Sequence, residues 1–294
     1  MPEAATANST TSPISTSPTG WQAGLQLQLA DRGLRTVLQG VKHYGPLRVQ
    51  RPFYPEGPVC HIYLLHPPGG MVAGDKLSIE VELAPGAQGL LTTPAAGKFY
   101  RVESGAGLQY QGVSARIESG AALEWLPQET IVFNGAQGEL LNRFDLDTDA
   151  ALIGWDIVCL GRRASGESFD SGCIKQRIEI YRDGKPLFLD RVRFEGGSAM
   201  LSSPWGMHGQ SVSGTFFATL ANGKDTDSIP DMDTLRAQLP QGREWGLTRR
   251  GDVLLARYLG HSGEACRRGF EQLWQVIRPA LLQRPALRPR IWNT

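Results

Sequence analysis

Leu77-Ser78-Ile79-Glu80-Val81-Glu82-Leu83 alternates apolar and polar residues without a break. In an extended chain successive side chains point to opposite faces, so Leu77, Ile79, Val81 and Leu83 share one face, as in a half-buried strand. Leu25-Gln26-Leu27-Gln28-Leu29 has the same period, and alternation returns at Ile174 to Tyr181 and Arg191 to Phe194. With 35 Gly and 19 Pro in 294 residues, many short elements joined by turns are expected. Three stretches, Glu82 to Ala87, Glu103-Ser104-Gly105-Ala106 and Glu118-Ser119-Gly120-Ala121, echo one another. Strand-turn units wound against each other would give such an echo, as would coincident turn composition. Helical spacing is confined to the last third: Met232, Leu235 and Leu239 after Pro230, then Phe270, Leu273, Trp274 and Ile277 after a cap at Ser262, with Pro279 ending or kinking the second helix. The expected fold is mainly β, many short strands in a helical or bundled arrangement with two α-helices in the C-terminal third.

Residues 1–20 are mostly Ala, Ser, Thr and Pro, which cannot bury enough surface to offset the entropy of ordering, so a disordered tail is expected. Residues 21–294 read as a single domain, with a polar loop at Asn222 to Ser228. Thirty Lys and Arg against 29 Asp and Glu give a net charge of +1, which argues against a nucleic-acid partner held by bulk charge. No stretch approaches the roughly 20 apolar residues of a membrane span, and no signal-peptide pattern opens the chain; no membrane association and a cytoplasmic location are expected.

Familiar catalytic motifs are missing. Gly69-Gly70-Met71-Val72-Ala73-Gly74-Asp75-Lys76 resembles a phosphate loop, but Asp75 stands where the lysine belongs and would repel a phosphate; a tight turn with Asp75 bonding local amides accounts for the stretch. There is no Gly-x-Ser-x-Gly elbow and no His-Glu-x-x-His. Cys60, Cys159, Cys173 and Cys266 are scattered and read as small buried hydrophobes. Cys60 and His66 are about 20 Å apart along a strand, too far to share one ion, and His61 points the other way. Both histidines are expected to be partly buried and bonded to backbone.

Acids in apolar company are more informative. Leu152-Ile153-Gly154-Trp155-Asp156-Ile157-Val158-Cys159-Leu160 reads as a strand covered on both faces, and Asp156 is its only charge. Such a carboxylate needs a basic or hydrogen-bonding partner, a proton, or a wet interior channel. Alternation places Asp190 with Phe188, Val192 and Phe194, opposite Arg191 and Arg193, and places Glu129 with Ile131 and Phe133. The bland account is a structural ion pair with an interior cation such as Lys98. A glycoside hydrolase using two interior carboxylates would also need inward acids.

Several of these segments, in order, resemble the UreD (UreH) urease accessory family. They are Gly45-Pro46-Leu47-Arg48-Val49-Gln50-Arg51-Pro52-Phe53-Tyr54, His61 to Gly70 with Gly74-Asp75, Lys98-Phe99-Tyr100-Arg101, and Leu126-Pro127-Gln128-Glu129-Thr130-Ile131. Trp155-Asp156, Leu160-Gly161-Arg162, Gly166-Glu167 and Pro289-Arg290-Ile291-Trp292 complete the match. The resemblance implies a non-enzymatic scaffold that binds urease apoprotein and UreF, through which the GTPase UreG delivers nickel. It implies a mostly β fold, no tightly bound cofactor, and transient nickel in an internal acidic conduit. By motif the conduit residues would be Asp75, Asp156 and Asp190, with Glu167 and Glu129 as further carry-overs. Separated carboxylates suit transit, because paired imidazoles or thiolates would trap the ion. The chain departs from some relatives at Gly97, where they carry a small hydroxyl residue; a backbone group is expected to replace it.

Overall fold

The computed structural model describes residues 20–103, 105–220 and 229–293. The tail expected at residues 1–20, apart from Gly20, and the loop expected at Asn222 to Ser228 lie outside them. The first strands are β1 (Gln22–Asp31), β2 (Thr36–Tyr44), β3 (Arg48–Val49), β4 (Cys60–Leu65), β5 (Lys76–Leu83), β6 (Gln88–Thr92) and β7 (Gly97–Phe99). Then come β8 (Gln109–Ile117), β9 (Ala122–Trp125), β10 (Thr130–Val132), β11 (Gln137–Leu146), β12 (Ala151–Leu160), β13 (Cys173–Arg182) and β14 (Lys185–Glu195). The C-terminal third holds α1 (Ala199–Ser202), β15 (Val212–Thr219), α2 (Met232–Ala237), β16 (Trp245–Arg250), β17 (Val253–Gly260) and α3 (Gly263–Leu282).

The two alternating stretches quoted first are neighbours. Strands β1 and β5 pair in parallel with Leu25 opposite Ile79, Leu27 opposite Val81 and Leu29 opposite Leu83. On the outer face Gln26 and Gln28 donate to the Glu80 and Glu82 carboxylates, each at 2.9 Å. One sheet runs β14-β13-β11-β8-β5-β1-β2 and the second runs β16-β17-β15-β12-β9-β6-β4-β3, with β10 joining β12 and β7. Between β5 and β13 the chain coils, placing β5, β8, β11 and β13 side by side in one sheet and β6, β9 and β12 in the other, all parallel. The coil stacks its turns: Gly86 N–H donates to Ser119 O at 3.0 Å, and Ala151 N–H to Ala121 O at 2.9 Å.

The sequence echo is therefore half structural. Gly86 and Gly120 occupy equivalent stacked turns and both have positive φ, 72° and 67°. Gly105 precedes β8, at the opposite end of the coil, where Gly74 donates to Gly107 O, so the Glu103 copy is not a third equivalent turn.

The second sheet is covered on both faces, as expected for Leu152 to Leu160. One face meets the first sheet through Leu123, Leu152, Val158 and Phe217. The other meets α3 through Trp155, Phe216, Phe270, Leu273, Trp274 and Ile277. Trp292 of the closing motif joins this aromatic cluster, 5.7 Å from Trp155 and 6.0 Å from Trp274 between ring centroids, and its Nε1 donates to Thr92 Oγ1. Both expected helices form. In α2 the cap is Asp231, whose carboxylate accepts from Asp233 and Thr234 N–H, and Leu239 lies just past the helix end. The α3 helix begins as predicted, with Ser262 Oγ accepting the Ala265 N–H at 3.1 Å, and continues past Pro279 to Leu282. Ser262→Ala is expected to lower stability by about 1 kcal/mol, read as a shift in the urea midpoint without a change in slope.

A charged network fixes the far end of α3. Arg278, fully buried, donates through Nε to Glu124 at 2.9 Å and through Nη2 to Glu56 at 2.8 Å, while Trp274 Nε1 donates to Glu124 at 2.6 Å. Burial alone would lower the Arg278 pKa, but the charges of Glu124 and Glu56 outweigh it and hold the guanidinium protonated. His61 belongs to the same network, its Nε2 2.6 Å from Glu56. Its partner is thus a carboxylate, where a backbone group was expected.

Candidate functional site

Asp156 is 5% exposed and faces the first sheet from the middle of β12. Its Oδ2 accepts one hydrogen bond from Asn142 Nδ2 on β11 and one from Gln176 Nε2 on β13, each at 2.9 Å. Two neutral amides therefore hold the carboxylate, and among the described residues no ion pair reaches it from Lys98 or any other cation. Burial pushes its pKa above the ordinary value, with the two amides pulling the other way.

From Asp156 a polar row runs toward β14, the outermost strand of the first sheet, and β17, one strand in from the edge of the second. Asp156 lies opposite Thr215 in the β12/β15 ladder, and Thr215 lies opposite Arg257 in the β15/β17 ladder, which puts the three on one face of the second sheet. Arg257 Nη1 donates to Thr215 Oγ1 at 2.9 Å and to Asp190 Oδ2 at 2.6 Å. Asp190 comes from β14 in the first sheet, so the pair bridges the two layers. Asn142, Gln176 and Asp190 line the seam from one sheet, and Asp156, Thr215 and Arg257 from the other. A packed interlayer normally holds apolar side chains, and six polar ones in a row are costly unless matched.

Next to Asp156 lies a cavity of about 140 Å³ whose lining includes Asn142, Gln111, Thr130, Lys98 and His66. His66 Nε2 and Trp125 Nε1 also belong to lining residues and are buried with no protein partner among the described residues. A cavity of this size with unmatched polar atoms suits water or a partly hydrated small ion. Burial lowers the His66 pKa and keeps the imidazole neutral, while the nearby Asp75 charge opposes that effect. The space is well below the roughly 300–1,000 Å³ of ordinary ligand clefts, and offers no room for a saccharide between two acids.

Of the five acids named from sequence, only Asp156 and Asp190 meet in the seam. Asp75 is buried in its turn, where its oxygens accept the Trp21 and Val72 N–H groups at 2.8 Å each, the local bonding read from the Gly-rich stretch. It reaches the cavity only through its charge on His66. Glu167 is ion-paired with Arg162 and accepts the Asn134 N–H at 2.9 Å, at the rim of a separate surface cleft of about 520 Å³. Glu129 lies against Gly263 at the start of α3, near Cys159. Parity grouped it with Ile131 and Phe133, but all three are only half-buried, whereas Thr130 and Val132 on the other face are buried; Glu129 turns toward α3 while Thr130 lines the cavity.

Thr130 sits opposite Gly97 in the β10/β7 ladder, and its Oγ1 lies 3.6 Å from where a Gly97 Cβ would stand. Cys60 and Cys266 are buried as read, whereas Cys159 and Cys173 are only partly covered. Burial pushes the Cys159 thiol up to about 12 and raises Cys60 and Cys266, so these sulfurs stay protonated and are poor metal ligands. Among the described residues no group of three or more His, Cys, Asp or Glu could hold a metal ion, and no helix is long and apolar enough to cross a membrane.

Sequence reading missed Asn142, Gln176, Thr215 and Arg257. Asn142 sits at the apolar parity between Leu140 and Phe144, and Gln176 between Ile174 and Ile178, so the inward-polar test that found Asp190 would have found both. Arg257 is the lone charge in Val253 to Leu259, the same signal that marked Asp156. Thr215 carries no such signal.

Comparison with known proteins agrees with this architecture. The profile of the UreD urease accessory protein family matches residues 22–293. The chain is 48% identical over 288 residues to a protein of Saccharophagus degradans named urease accessory protein UreD, covering 97% of each chain. Proteins of the same name from Dechloromonas aromatica and Pseudoalteromonas translucida are 46% identical over 276 residues, covering 93% of this chain and 95% of the relative, and 44% identical over 261, covering 88% and 85%. A match over nearly the whole chain at this identity places the protein in the UreD urease accessory family.

Proposed function

We propose that this chain is a non-enzymatic scaffold that binds urease apoprotein together with UreF, receives nickel from UreG through UreF, and passes the ion along its interior acids into urease. The observation that carries the reading is the polar seam: a buried carboxylate, Asp156, held by amides and bordering a small polar cavity, with a second carboxylate, Asp190, along the same row. Nickel(II) held by isolated carboxylates and water stays exchangeable, whereas a cage of imidazoles and thiolates would retain it. The order Asp75, His66, cavity, Asp156, Asp190 gives the ion a succession of weak attractions. Glu167 and Glu129 keep the structural contacts described above and are not needed for this path. The hydrolase reading loses its support, because membership of an accessory family and a cavity too small for sugar both oppose it.

The test is urease activation in a reconstituted mixture of urease apoprotein, UreF, UreG and this chain, with nickel per urease site as the readout. Asp156→Asn and Asp190→Asn are expected to retain pull-down of urease and UreF and to give a several-fold drop in nickel loading, since each removes a charge that attracts a divalent cation. Normal loading by stable, assembled variants would leave a passive adaptor without a metal route.

A further inference from the structure

We propose that Arg257 is the stopper of the seam, a guanidinium that closes its outer end to divalent cations by neutralising Asp190. The row Asp156, Thr215, Arg257 ends at the β14/β17 side of the sandwich, where Arg257 is 42% exposed and Asp190 17% exposed. Arg257 therefore stands between solvent and the carboxylate row. Its Nη1 occupies Asp190 Oδ2 at 2.6 Å and Thr215 Oγ1 at 2.9 Å, the oxygens that an entering or leaving cation would meet first. A fixed positive charge there repels a divalent ion and removes its ligands at the same time.

The contacts also allow release. Arg257 uses only Nη1 for hydrogen bonds among the described residues, and its guanidinium carbon lies 5.6 Å from the centre of the Phe188 ring. A side chain this exposed can swing outward without parting the sheets, which uncovers Asp190 and Thr215 together. By contrast Asp156, at the inner end, has two neutral amide partners, which donate to Oδ2 but bring no full positive charge. Among the described residues the ion pair along this row therefore stands at its rim. This purpose rests on the conduit reading, but the measurement does not.

The experiment uses the purified full chain and nickel ions alone, measuring binding by equilibrium dialysis and folding by thermal melting. Arg257→Gln is expected to tighten apparent nickel binding roughly tenfold or more, because it frees a carboxylate and removes a repelling charge. Adding Asp190→Asn to the same chain should abolish the gain, and Arg257→Lys, which restores the cation, should bind nickel as the unaltered chain does. A folded Arg257→Gln chain with unchanged nickel binding would overturn the stopper, and so would a gain that survives Asp190→Asn. If Arg257→Gln does not fold, Arg257→Met keeps the stem on Phe188 and carries the same expectation. Failure of both to fold would overturn the proposal and assign the pair to holding the two sheets together. Nickel loading of urease by Asp156→Asn reports separately on the conduit, so the two readings can fail independently.

Discussion

Arg278→Met should destabilise the chain by about 3–5 kcal/mol, the usual consequence of removing one partner from a buried ion pair. The methionine fills most of the volume beside Trp274, so the loss comes from charge. Glu124, 2% exposed, would keep only the Trp274 N–H, and Glu56 would keep only His61. Glu124 could escape by taking a proton, but that forfeits the charge-assisted bonds that anchor the end of α3 to β9. Arg278→Lys keeps the charge and loses the forked geometry that serves two carboxylates at once, so its loss should be smaller. Urea unfolding of both variants checks this, and an Arg278→Met chain within 1 kcal/mol of the unaltered one would show that the network contributes little.

Asp156→Asn should act in the opposite direction on stability, raising it by on the order of 1 kcal/mol at pH 7 while nickel loading falls. Burial raises the Asp156 pKa in the folded state, so the unfolded chain releases this proton more readily. Stability attributable to the group is complete below the ordinary carboxylate range and is lost as pH rises through the raised pKa. Asparagine has no such proton, and its amide oxygen can still accept from Asn142 and Gln176. The advantage of the variant should therefore be absent near pH 3, open as pH rises from about 4, and persist at neutrality. Thermal melting across that range measures it. A variant less stable than the unaltered chain at pH 7 would mean that the carboxylate is a structural asset, and would remove the argument that a costly group is retained for function.

The division between sequence and tertiary structure follows from the range of the forces involved. Alternation at Leu25 to Leu29 and Leu77 to Leu83, the Ser262 cap and the α3 stripe are local, set by backbone geometry and by which side chains avoid water, and each is legible within about ten residues. The lone charge of Asp156 and the inward parity of Asp190 were legible for the same reason. Pairing was not: whether Asp156 meets a cation or two amides depends on β11 and β13 lying beside β12, and whether Asp190 stands free depends on Arg257, 67 residues away. Glu129 shows the limit most plainly, because it shares its parity with Ile131 and Phe133, yet all three are half-buried and the opposite parity, Thr130 and Val132, is buried; which face of a short strand is covered depends on what packs against it. Local chemistry in this chain determined the strands, the helices and the inward turn of Asp156 and Asp190. Only the packing of sheet on sheet and helix on sheet decided their partners, because a partner is set by contacts between segments far apart in the chain.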